Sequence, residues 1–276
     1  MKNLLFNVFK TLFFFDLAVY IFTVLPDASG SDSALLKLKQ EAIILAVPLG
    51  LTLIFFFIVE RCKIGVPLNK HVFKAFGVGL FYGIIPLGIV VGVLCVLKNL
   101  KITGIEKPEN LGIWLAAILC NTLAAELLLR GYLFNLFKKC HGFIFSAIVT
   151  TALFISLDIK LLQESKIYIA NIIILNLLLC LILDSTDSII SSVTARFCYT
   201  TLSCLLFGSM GLTGGYPTLL KFEIAGKRLQ TGGEYGFEGS FITLIVLSAF
   251  ALTHLICRYR PIKSLKAYFK NRKIKN

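Results

Sequence analysis

Acidic residues are scarce in this 276-residue chain: 15 Asp and Glu stand against 28 Lys and Arg, and charged residues make up only 16% of the total. A soluble protein of this length needs far more polar surface, so the deficit excludes a separate soluble domain. Histidine is almost missing. The three present, His71, His141 and His254, are scattered, and no pair of them has ligand spacing. The eight cysteines contain no C-x-x-C and lie mostly in apolar runs, where thiols act as small hydrophobes. Neither zinc nor any other metal has a recognisable ligand set, and no cofactor is implied. Repeats and low-complexity segments are also missing, which removes solenoids from consideration.

What the chain has in abundance is hydrocarbon. Hydrophobic residues make up 57% and mean hydropathy is +0.84. Apolar runs of spanning length recur at about 3–25, 42–60, 74–98, 111–136, 142–162, 167–184, 188–208 and 240–257. These are too long for the roughly ten-residue strands of a membrane barrel. The expected fold is therefore all-α, a polytopic transmembrane helical bundle of about eight spans. Residues 1–110 would hold three N-terminal spans, 111–257 the core with the last helix, and 258–276 a basic tail. Lys10 and Asp16 interrupt the first apolar stretch and no small-residue cleavage site follows, so it reads as a span rather than a cleaved signal.

The net charge of +13 does not point to nucleic acid, because no platform of aromatic and basic residues accompanies it. Eight Lys and Arg sit in the last 19 residues, immediately after an apolar helix. That is the pattern of a cytoplasmic tail facing lipid headgroups. An even number of spans then puts both termini in the cytoplasm, with Arg61, Lys63, Lys70, Lys138 and Lys139 on the same side and Lys98, Lys101 and Lys107 opposite. The expected location is the cell (inner) membrane of a bacterium, multi-pass, with the lipid bilayer as the first partner.

Charges inside apolar helices are costly and usually face a polar interior. Glu126 and Arg130 are four apart, on one helix face. Glu126 precedes His141 by 15 residues and Asp158 follows it by 17, so a turn near His141–Gly142 returns both acids to similar depth. Arg196 stands four residues before Thr200 in a later span. Asp16 reads as a polar contact or an edge residue. Asn121, one turn before Ala125, reads as an interhelical hydrogen-bond donor or a cavity-lining group. The glycine-rich stretch 209–239 reads as a shaped surface loop or as a lid folded over a cavity, ending at a helix cap on Ser240 with Glu238 beside the helix start.

Three segments together resemble the CPBP family (CAAX prenyl protease and bacteriocin-processing, ABI) of intramembrane glutamic endopeptidases. AELLLRGYLF is similar to its two glutamates, three residues, then arginine and glycine. FISLD, from Phe154 to Asp158, is similar to phenylalanine, three residues, then histidine. RFCYT, from Arg196 to Thr200, is similar to histidine, three residues, then asparagine or aspartate. The G-x-E-G-S stretch before the last helix also looks like a bacterial branch of this family. The resemblance covers 111–208 and about 230–243, and it implies a CAAX-protease-like core.

The departures from that pattern are systematic. The family's water-activating glutamate corresponds to Ala125, its two histidines to Asp158 and Arg196, and its asparagine to Thr200, while Glu126, Arg130, Gly131 and Phe154 keep the pattern. Hydrolysis needs a base within hydrogen-bond reach and donors aimed at the oxyanion. Glu126 cannot simply replace its neighbour, since one residue turns a helical side chain by about 100°. No catalytic residue is expected at these positions. Glu126, Arg130, Asp158 and Arg196 would sum to zero charge as a buried network. The resemblance thus implies a silent pseudoprotease that binds a membrane peptide, prenylated or not, a lipid or a partner protein. The alternatives are an active divergent endopeptidase and a small transporter that uses the four charges as a pathway. The transporter reading lacks the matched broken halves it would need.

Overall fold

The computed structural model describes residues 2–25, 32–69, 71–157, 165–208, 215–224 and 226–259. It is a helical bundle. Its elements are α1 (Lys2–Val24), α2 (Ser33–Ile54), α3 (Val72–Val96), α4 (Leu111–Glu126), α5 (Phe134–His141), α6 (Phe143–Ser156), α7 (Lys166–Thr186), α8 (Ile189–Thr200), the short α9 (Arg228–Thr231) and α10 (Phe241–Tyr259). Wider π turns, Phe55–Val59, Leu127–Leu133 and Thr201–Leu206, extend α2, join α4 to α5 and extend α8. Among the described residues seven helical stretches are long and apolar enough to cross a bilayer. The remaining apolar helix, α6, has 14 residues and a rise of about 21 Å, short of a roughly 30 Å hydrocarbon core. The expected span at 142–162 is thus a shorter helix in its described part. The basic tail from residue 260 onward lies outside the described residues.

Two features absent from the sequence expectation shape the ends. Strands β1 (Leu100–Ile105) and β2 (Leu220–Ile224) pair antiparallel, one from the α3–α4 connection and one from the α8–α10 connection. They tie two loops together at one end of the bundle. At the other end Lys138 of α5 bridges Asp184 of α7 at 2.9 Å, and Arg258 of α10 reaches the same carboxylate at 3.3 Å. Arg61, Lys63 and Lys139 belong to this end too, where Lys139 Nζ donates to the Lys63 carbonyl at 2.8 Å.

The core is built on close helix approach rather than on large side chains alone. Gly79 and Gly83 of α3 face α8, and a Cβ on either would lie 2.6 Å from the backbone oxygens of Ser191 and Ala195 respectively. This small-xxx-small spacing brings two membrane helices to backbone contact. It fixes α8, and with it Arg196, against the bundle. A second apolar layer joins Leu87, Leu175, Leu178, Leu179, Ile182 and Tyr199 across α3, α7 and α8. The N-terminal helices pack separately, with Phe14, Ala18, Leu51 and Phe55 on Leu129, Tyr132 and Leu133.

Candidate functional site

Glu126 ends α4 with its side chain 0% exposed, and the chain widens at once into the π turn that carries Arg130. Such turns leave carbonyls without their usual partners and recur at functional sites. Asn135 answers part of this need, donating through Nδ2 to the carbonyls of Gly131 at 3.1 Å and Arg130 at 3.4 Å. Arg130, 1% exposed, places Nη1 2.5 Å from Glu126 Oε1. Its other arm donates to the Asn176 side-chain oxygen at 2.8 Å and to the Asn176 carbonyl at 3.1 Å. Asn176 is held in turn by donating to the Ile172 carbonyl at 2.9 Å. One guanidinium thus links α4 to α7.

Arg196 approaches the same carboxylate from α8, with Nη1 3.6 Å from Glu126 Oε1. Its guanidinium carbon lies 4.8 Å from the centre of the Phe154 ring, a cation–π distance. Phe154, Glu126, Arg130 and Arg196 therefore converge from α6, α4, the π turn and α8. Asp158 lies outside the described residues, so its relation to Arg196 is not part of this geometry. Thr200 is buried one turn beyond Arg196, and Ala125 is half-buried beside Glu126. Asn121 belongs elsewhere, since its Nδ2 donates to Glu41 Oε2 of α2 at 2.9 Å.

Among the ion pairs of the described residues, the Glu126 carboxylate meets two guanidiniums, those of Arg130 and Arg196. Glu126 Oε2 and Arg130 Nε have no hydrogen-bond partner among the described residues. A further carboxylate, Glu238, is buried. It comes from the glycine-rich loop, whose described end is packed inward: Asn171 of α7 donates to the Glu238 carbonyl at 2.6 Å and the Ser240 carbonyl at 3.0 Å. Tyr235 stacks on Tyr168 with ring centres 4.9 Å apart. Ser240 caps α10, its Oγ accepting from the Ile242 N–H at 3.0 Å. Gly232, Gly233 and Gly236 all adopt positive φ here, and a Cβ on Gly232 would strike the Gly236 carbonyl. Residues 209–214 of this loop lie outside the described residues.

Three buried polar groups escape sequence reasoning. Glu41 falls one residue before the expected start of the second span, but α2 begins at Ser33 and carries Glu41 two turns inside. There it accepts from Asn121, from Lys37 at 3.0 Å and from the Tyr216 hydroxyl at 3.3 Å. Burial, then the charge and hydrogen bond of Glu41, hold the Tyr216 phenol well above its ordinary range. Glu60 pairs with Lys10 at 2.6 Å and accepts from Tyr132 at 2.8 Å. Asn176 belongs to none of the three motifs. Its meaning depends on which helix faces Arg130, and spacing along the chain does not encode that.

Residues 107–202 match the family model described as Type II CAAX prenyl endopeptidase Rce1-like. This segment contains all three motifs, in agreement with the resemblance carried by AELLLRGYLF, FISLD and RFCYT. No curated protein matches the chain.

Proposed function

We propose, from the premise that residues 107–202 are similar to the Rce1-like endopeptidases, that this multi-pass membrane protein holds a membrane-embedded peptide at the Glu126 cluster without cutting it. The observation that carries this reading is the double commitment of Glu126 to Arg130 and Arg196. Its Oε1 is already engaged by Arg130 and lies within ion-pair reach of Arg196, so that oxygen is occupied before any water could be held there. Ala125 supplies no replacement. Arg196 cannot exchange a proton with water as an imidazole does, since a guanidinium stays protonated.

Glu126 Oε2 and Arg130 Nε, buried and without a hydrogen-bond partner among the described residues, are one acceptor and one donor that an extended backbone could meet where the surrounding helices part. The same free oxygen favours a second reading, a divergent hydrolase in which Glu126 positions water. Liposomes holding the purified protein distinguish the two when given prenylated and unprenylated membrane peptides, with binding and cleavage scored together. Binding without products supports the proposal, and products that vanish in Glu126→Gln support the second reading.

The orientation follows from charge. The end carrying Arg61, Lys63, Lys138, Lys139 and Arg258 is assigned to the cytoplasm by the eight Lys and Arg of the last 19 residues, which begin at the end of α10. Cys62 and Cys140 are exposed at this end. An impermeant maleimide should therefore label them only after the cells are permeabilised.

A further inference from the structure

The outer face of α1 carries a stripe that the described protein leaves largely uncovered. Phe6, Phe9, Phe13, Asp16 and Tyr20 follow one another at intervals of 3, 4, 3 and 4 residues, and all are exposed, Phe9 at 65% and Tyr20 at 66%. The opposite stripe, Thr11, Phe14 and Ala18 at intervals of 3 and 4, is buried against α2 and the 127–136 segment. Intervals of 3 and 4 generate a helix–helix seam. This helix therefore has two seams, one used within the chain and one open.

Asp16 makes the open seam more than a lipid-facing surface. The apolar window of α1 runs from Leu5 to Val24, so Asp16 lies only about 2 Å along the axis from its midpoint. The hydrocarbon edge is about 15 Å away on either side. Lys and Arg can snorkel over part of that distance, but an aspartate side chain is too short. Lys10, the nearest cation on the same helix, is committed to Glu60 and lies over the Phe6 ring. The geometry points to a single membrane-spanning helix of another protein as the occupant, carrying Arg or Lys near its own midpoint. Charge complementarity selects that partner: the carboxylate pairs with the cation, and Phe9, Phe13 and Tyr20 offer ring faces around it. A parallel second copy of this chain would instead bring Asp16 against Asp16.

The test uses the full chain, donor-labelled in phosphatidylcholine vesicles and titrated with acceptor-labelled leucine–alanine helices carrying Arg, Lys, Leu or Glu at the midpoint. Midpoint placement makes the peptide's insertion direction immaterial. The Arg and Lys helices are expected to bind at least about tenfold more tightly than the Leu and Glu helices. Asp16→Leu and Asp16→Asn should both erase that preference, and Asp16→Glu should keep it. Unchanged thermal melting of at least one neutral variant shows that the seam, not the fold, was altered. Equal affinity for the Arg and Leu helices overturns the proposal. So does energy transfer between copies of the protein that Asp16→Leu abolishes, because that assigns the stripe to self-association.

Discussion

Glu41 and Glu60 anchor the edge of the bundle, and Glu126 occupies its centre. All three carboxylates are buried, but they are satisfied in different ways. Each peripheral carboxylate has one lysine and neutral donors: Lys37, Asn121 and Tyr216 for Glu41, and Lys10 and Tyr132 for Glu60. These are closed, neutral struts that fasten α1 and α2 to the long helix spanning 111–141. At the centre, among the described residues, the Glu126 carboxylate meets two arginines, and Glu126 Oε2 and Arg130 Nε have no hydrogen-bond partner. A site built only to hold helices together would look like the periphery. The centre is instead a buried cluster of charge in which one carboxylate is shared between two helices' arginines.

The sharpest way to break this comparison is to remove the central carboxylate. Glu126→Gln leaves two buried guanidiniums without their shared partner and should destabilise the protein by about 3–5 kcal/mol in a detergent denaturation series. The double change Glu126→Gln with Arg130→Met should recover part of that loss, and a fully additive cycle would contradict a coupled network. Next in size is the seam that positions Arg196. Gly83→Leu drives a side chain into the α8 backbone and should cost about 1–3 kcal/mol or more, whereas Gly88→Leu, with open space around its Cβ, should change little. Smaller again is the peripheral strut. Tyr132→Phe removes one hydrogen bond to Glu60 but leaves Lys10 in place, an expected loss of about 1–1.5 kcal/mol. The smallest effect belongs to Lys37→Met, since that ammonium is partly exposed and Glu41 keeps Asn121 and Tyr216, so a loss below about 1 kcal/mol is expected.

The same contrast explains what could be read from the sequence. Helices, their approximate limits and the family-like core were legible because apolar runs and three spaced motifs are local signals. The return of the chain at Gly142, with φ of 85°, agrees with the break between the fourth and fifth apolar runs. Glu126 with Arg130 was legible as an i, i+4 pair. The partners brought by other helices were not. Arg196 was expected in one network with Glu126, but its direct approach depends on Gly79 and Gly83 admitting α8, and Asn176 meets Arg130 only through the facing of α7. Glu41 was hidden by a span edge placed nine residues late. The strands of the end sheet were too short to stand out, since LKITGI and LKFEI acquire their pairing from each other rather than from any periodicity of their own.

The central claim is that the Glu126 centre binds without hydrolysing. Its most direct test is a single-turnover incubation of excess reconstituted protein with an isotopically labelled prenylated membrane peptide, with products counted by mass spectrometry. Wild type and Glu126→Gln should release the same background of cleaved peptide while wild type retains bound, intact substrate. Product that accumulates with wild type and disappears with Glu126→Gln would contradict the account and make Glu126 a working catalytic group.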